Sequence, residues 1–194
     1  LTDEIKKVKA EASEVKKVME YCRNNMTVCV KDEELENIAA LKAAMKNLIE
    51  KYGCQAAAIQ CWNQLQKEIG IMPCAANSLL KEEGIPVVWE TDIHGAITAL
   101  LVEAAAMNKK RSFFADWTIR HPDVPNGELL QHCGPWTLSV ACERPKITYP
   151  LAFDHPGSIT AEAKHGNISL ARFDGDNGEY SLLLGRSKGI DGPK

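Results

Sequence analysis

Apolar residues recur at helical spacing from the start of the chain. Ile5, Val8, Ala12, Val15, Met19 and Cys22 form one stripe, and the opposite face is lysine and glutamate. The spacing predicts a helix that Thr2 caps and that ends near Asn24-Asn25. Asp3 and Glu4 fall in its first turn, where the helix dipole favours negative charge. A second stripe, Leu35, Ile38, Leu41, Met45, Leu48, Ile49 and Tyr52, predicts a helix opened by Asp32 and closed by Gly53. The period then changes. Cys54 to Gln60 is small and nearly uncharged, which suits a buried parallel strand. Cys61 to Ile69 reads as loop or short helix. Pro73 stands near the start of a helix that runs to Glu83 and stops at Gly84. Ile85 to Trp89 is β-branched and predicts a strand, His94 to Met107 a helix, and Ser112 to Asp116 the next strand. Helices between short apolar strands imply a parallel sheet with crossover helices.

After Pro122, Pro125, Asn126 and Gly127, which read as a linker, the helical period disappears. Leu138–Cys142, Ile147–Phe153, Ser158–Ala163, Ile168–Phe173 and Tyr180–Leu184 are short strand candidates separated by turn residues. Such spacing predicts antiparallel pairing in a sandwich or barrel, with hairpin signals at Asn167 and in the Asp174 to Gly178 cluster. The expected organisation is therefore α/β: a parallel-sheet domain over residues 1–120, then an antiparallel β domain over 121–194.

Composition narrows the function. The 194 residues carry 23 Lys plus Arg against 26 Asp plus Glu, a formal net charge of −3, so the chain lacks the basic footprint of a nucleic-acid binder. A hydrophobic fraction of 45% excludes a disordered chain. No run of about 18 apolar residues predicts a membrane span, and the acidic start Leu1-Thr2-Asp3-Glu4 is unlike a signal peptide. Leu1 is not an initiator Met, so residues upstream of it are expected to have been removed. Seven cysteines, odd in number and without a C-x-x-C pair, argue for free thiols in a reducing cytosol rather than a disulfide framework or a zinc site.

Chemistry belongs at the carboxyl ends of parallel strands. Glu90 follows Ile85–Trp89, Asp116 ends Ser112–Asp116, and His132 stands just beyond the linker. Two carboxylates and an imidazole suit a hard or borderline divalent cation, with Mn²⁺ favoured over Mg²⁺ by the imidazole. The plainer readings are helix-capping acids and a hydrogen-bonded structural histidine; capping is the better reading for Asp92, just before the Ile93 helix. Trp62, Trp89, Trp117 and Trp136 read as core or interface residues. Cys133 beside His132 suggests a thiol nucleophile, but neighbours in a strand point to opposite faces. There is no dinucleotide fingerprint, phosphate loop or nucleophile elbow.

Ala58-Ile59-Gln60-Cys61-Trp62, Met72-Pro73-Cys74, and above all Gly84-Ile85-Pro86-Val87-Val88-Trp89-Glu90-Thr91-Asp92-Ile93-His94-Gly95-Ala96 resemble the L-fucose isomerase family, which is related to L-arabinose isomerase. The resemblance continues through Phe113 to Trp117 and His132-Cys133-Gly134, from about residue 26 onward. It implies Rossmann-like α/β domains followed by an antiparallel β-barrel, here incomplete. It also implies an aldose–ketose isomerase working through a metal-stabilised enediolate, with Mn²⁺ as cofactor, a monosaccharide as substrate and a homo-oligomer of the parent enzyme in the cytoplasm. By the same resemblance Glu90 and Asp116 are metal ligands implicated in proton transfer. His132 resembles a metal-binding histidine of the arabinose branch, and Ala115 favours the fucose-type site. The family's late metal-binding histidine has no counterpart among His94, His121, His132, His155 and His165, and its N-terminal α/β domain is missing. The chain is therefore expected to be a middle-to-C-terminal fragment, inactive alone. A non-catalytic carbohydrate-binding or assembly module is the alternative.

Overall fold

The computed structural model describes residues 1–134, 137–150 and 154–192. The first stripe forms two helices rather than one, α1 (Thr2–Glu11) and α2 (Ser13–Asn25). The break falls at Ala12, whose φ of 54° is left-handed. Leu1, not Thr2, occupies the capping position of α1. A two-residue strand, β1 (Thr27–Val28), leads to α3 (Asp32–Lys51). Asp32 is the first helical residue of α3 rather than its cap; Glu34 Oε2 accepts from Lys31 N at 2.8 Å instead. From Ile38 to Met45 every residue of α3 is buried, so this helix is the axis of the core. Lys42 is buried there because Glu83 meets its ammonium at 2.5 Å and Lys46 at 3.0 Å. Burial pushes the Glu83 carboxyl up, but the two lysines outweigh it and hold it below the usual carboxylate range.

The next elements follow the expected alternation: β2 (Ala57–Ile59), α4 (Gln64–Ile69), α5 (Cys74–Glu82), β3 (Val87–Trp89) and α6 (Ile93–Ala105). Pro73 stands at the cap of α5, and β2 and β3 pair in parallel. The expected third strand of this sheet, Ser112–Asp116, is not formed. Residues 111–115 are held by side chains instead: Glu103 Oε1 accepts from Ser112 N at 3.0 Å and Ser112 Oγ at 2.9 Å, and Thr137 Oγ1 donates to Ser112 O. Asp116 therefore begins a strand rather than ending one. β4 (Asp116–Arg120) pairs antiparallel with β5 (Glu128–Gln131), and the expected linker is the loop of that hairpin.

Beyond it, Leu138–Val140 is a single 3₁₀ turn, not a strand. β6 (Lys146–Thr148) and β7 (Ser158–Thr160) are shorter than expected, and residues 151–153 of the predicted Ile147–Phe153 strand lie outside the described residues. β6 pairs antiparallel with β7 and in parallel with β1, so one sheet, β1-β6-β7, joins residues on both sides of position 120. The last two strand candidates form a long hairpin, β8 (Asn167–Asp176) and β9 (Glu179–Lys188). Its two-residue turn is Asn177-Gly178, with φ of 49° and 84°, the left-handed pair that suits the twist of such hairpins. The class is mixed α/β with parallel and antiparallel pairs, and no closed barrel exists among the described residues.

The main core packs α1, α2, α3 and α5 around β1, β6 and β7, with Leu35, Ile38, Leu41, Ile71, Leu80 and Ile147 fully buried. A smaller cluster of Cys61, Met72, Cys74 and Trp89, with Phe114 and Cys133 packed against it, supports the ends of β2 and β3. Trp89 belongs to that core as expected, whereas Trp62 and Trp117 are exposed and Trp136 is outside the described residues. No described helix is long and apolar enough to cross a membrane.

Candidate active site

β3 delivers Trp89 to the small core and then turns sharply. Glu90 and Thr91 both take left-handed backbone conformations, with φ of 58° and 56°. Two successive non-glycine residues there, one of them β-branched, store strain of about 1–3 kcal/mol each. Asp92 N donates to Trp89 O at 2.9 Å and Thr91 N to Ile59 O at 3.3 Å, which locks the turn. Glu90 is thereby held exposed at the end of the strand. Asp92 caps α6 as expected, accepting from Gly95 N at 2.9 Å. A β-carbon on Gly95 would overlap the Asp92 carboxylate, so this close cap needs glycine.

Asp116 is opposite Gln131 in the β4–β5 register, and His132 follows directly. His132 Nε2 lies 3.7 Å from Asp116 Oδ2, with the imidazole side chain 5% and the carboxylate 65% exposed. The imidazole stands edge-on to Trp89, with centroids 4.7 Å apart and planes at 77°, and lies 5.4 Å from the Phe114 ring. Trp89 is fixed in turn by Asn77 of α5: with that amide oriented to satisfy both groups, Trp89 Nε1 donates to its oxygen at 3.1 Å. A rigid aromatic bed thus aims one edge of a buried imidazole at an exposed carboxylate.

The other imidazole nitrogen, Nδ1, is 3.9 Å from Cys133 Sγ. The expectation that these neighbours point apart assumed a strand; β5 ends at Gln131, and the chain bends at Cys133. A hydrogen bond from Cys74 and the adjacent His132 draw the Cys133 thiol down to about 6, against its own burial. Burial, with Cys133 adding to it, pushes Cys74 well up, and burial pushes Cys61 up to about 11.

Asp116 and His132 are close enough to share one divalent cation at bonds of about 2.1 Å each. Glu90 does not join them: Glu90, Asp116 and His132 do not bring ligand atoms within 4.8 Å of one another. The donor chemistry fits a cation such as Mn²⁺, with two of the three groups in place. Among the described residues the one set of three that meets this spacing is Glu162, His165 and Asp191, all exposed.

Sequence reasoning missed Arg172 of β8. It forms a two-pronged ion pair with the Asp92 carboxylate, with Nη2 to Oδ1 at 3.2 Å, and lies 3.8 Å from Asp174. Asp174 in turn faces His94 Nδ1 at 3.1 Å. Nothing local in the sequence pairs positions 92 and 172.

No family model matches the chain. The chain is 26% identical over 165 residues to the sulfoquinovose isomerase of Alkalicoccus urumqiensis, covering 84% of this chain and 37% of that protein. It is 25% identical over 165 residues to those of Priestia aryabhattai and Priestia megaterium, covering 82% of this chain and 36% of each. The chain thus spans little more than a third of the length of these relatives, and at low identity it is similar to proteins named as sugar isomerases.

Proposed function

We propose that this chain forms part of the active centre of an isomerase that interconverts an aldose and a ketose. The observation that carries the reading is the Asp116–His132 pair, a buried imidazole presented to an exposed carboxylate beside the strained Glu90 turn. The similarity to sulfoquinovose isomerases along most of the chain supports it.

The reaction moves a proton from C2 of the open-chain sugar to C1. A base must take it, and an acid must return it. Asp116 and His132 would hold a divalent cation such as Mn²⁺, which when bound would polarise the two sugar oxygens. The remaining work falls to the chain's own groups. Glu90, exposed and fixed by its turn, is the carboxylate available to take and return the proton. Asp116 faces the buried imidazole of His132 at 3.7 Å. Trp89 and Phe114 keep water from the buried face of the imidazole.

The test is aldose–ketose conversion by the native-length protein supplied with Mn²⁺, with sulfoquinovose and L-fucose as first substrates. Glu90→Gln and Asp116→Asn are each expected to lower turnover by at least about 100-fold. Unchanged turnover in either variant removes the role given to that residue. The position of Glu90 outside the Asp116–His132 pair favours a second reading, a non-catalytic carbohydrate-binding or assembly module. Sugar binding by calorimetry that is unaffected by metal removal, without turnover, would establish that second reading.

A further inference from the structure

We infer that Cys74 and Cys133 form a paired thiol site that hydroperoxides convert to a disulfide, fastening the bend after β5 to the first turn of α5. Cys133 packs against the small core cluster that contains Cys74. Their backbones are brought together by Gly134, with φ of 148°, where a β-carbon would overlap Cys74. One short segment then clamps both ends. Ser158 Oγ donates to Cys133 O at 2.8 Å and Ile159 N to the same oxygen at 3.4 Å. Pro156 O accepts from Met72 N and Gly157 O from Ala75 N, both at 2.7 Å. Each cysteine is therefore held in place by the same stretch, residues 156–159.

The two thiols differ in access. Cys133 is half-buried and open to a small oxidant, whereas Cys74 is fully buried behind it. This is the arrangement of an attacking thiol and a resolving thiol. Cys61, the third thiol of the cluster, is fully buried and lacks the access that Cys133 has. The chemistry balances in two steps. The Cys133 sulfur attacks the peroxide, the O–O bond breaks, and Cys133 becomes a sulfenic acid while the hydroperoxide leaves as an alcohol or water. The Cys74 sulfur then attacks the sulfenic sulfur, the S–S bond forms as the S–O bond breaks, and the hydroxyl leaves with the Cys74 proton as water. The net change is two thiols oxidised by one hydroperoxide. The inference does not depend on the isomerase reading.

The experiment titrates the intact protein with hydrogen peroxide, alkylates the remaining thiols and maps the peptides by mass. At one equivalent, two of the seven thiols are expected to disappear. The peptides bearing Cys74 and Cys133 should appear joined, lighter by two hydrogens, and separable by dithiothreitol. Cys74→Ala should leave Cys133 as a sulfenic acid that dimedone captures. A link from Cys133 to Cys61, or oxidation of the exposed Cys29, Cys54 and Cys142 with Cys133 intact, overturns the proposal. So does conversion of wild-type Cys133 to sulfinic acid without a link. The wild-type map decides the matter even if the alanine variant fails to fold.

Discussion

Leu41 on α3 and Leu184 on β9 are the same side chain in opposite circumstances. Leu41 has no exposed surface, enclosed by the helical core, while Leu184 is 71% exposed on a two-stranded hairpin. The difference extends to their whole regions. The α1-α2-α3-α5 unit closes on itself around β1, β6 and β7. The hairpins β4–β5 and β8–β9 leave Trp117, Ile119, Leu129, Leu182 and Leu183 exposed. A two-stranded hairpin has little stability of its own. What keeps these hairpins in place is attachment: β8 to α6 through Arg172 and Asp92, and β5 to the small core through His132. The stable region is thus the scaffold, and Asp116 and His132 sit where a hairpin meets it.

The sharpest test of this contrast is paired. Leu41→Ala is expected to cost about 3 kcal/mol in urea unfolding, through lost burial and the cavity left behind. Leu184→Ala is expected to change stability by less than about 0.5 kcal/mol. A large loss from Leu184→Ala would mean that β9 is covered in solution.

The scaffold has its own flaw. Lys81 of α5 is fully buried, and its Nζ finds no hydrogen-bond partner among the described residues. Burial draws its amine down to about 8, against the attraction of Glu103. Between about 8 and its ordinary value of 10.5, the unfolded chain binds a proton that the folded chain releases. Stability should therefore rise with pH through that window, and the cost is at its full size below it. Lys81→Met is expected to gain about 2 kcal/mol at pH 7 and to flatten that rise. A destabilised variant would show that the ammonium is better served than the packing indicates.

A smaller loss belongs to the hairpin clamp. Burial raises the Asp92 carboxyl, but hydrogen bonds from Arg172 and the Gly95 N–H outweigh it and hold it below its ordinary value. The stability this supplies is present above about pH 4 and fades as pH falls through the lower, folded-state value. Arg172 is partly exposed, so solvent screening limits Arg172→Ala to about 1 kcal/mol. The loss should be seen at neutral pH and diminish in acid, with amide exchange faster in β8 than in α3.

The sequence made some of these elements readable and hid others for identifiable reasons. The α3 stripe, the Asp92 cap and the Asn177-Gly178 turn each depend on residues within four positions of one another, and all were expected. Ala12 gives no local sign that it breaks the first helix, because alanine favours the helix it interrupts. The strand placed at Ser112–Asp116 failed because Glu103 takes the backbone of Ser112, a contact that periodicity does not contain. Glu90, Asp116 and His132 were named as candidates from their places at the ends of predicted strands and after the linker. The pairing of Asp116 with His132 was not evident, because it follows from a hairpin whose loop resembled a linker.

The β1–β6 pairing delays completion of the core while this protein is made. Thr27 aligns with Lys146 and Val28 with Ile147, and Arg144 Nη2 reaches the carbonyl of Arg23 at 2.8 Å. The helices beside β1 emerge from the ribosome long before their sheet partner exists. Closing a loop of that length is an entropic cost with no early return. Until β6 arrives, α1 to α3 must wait with one edge of their core uncovered, so this segment, rather than the exposed hairpins, is where a nascent chain would most need a chaperone.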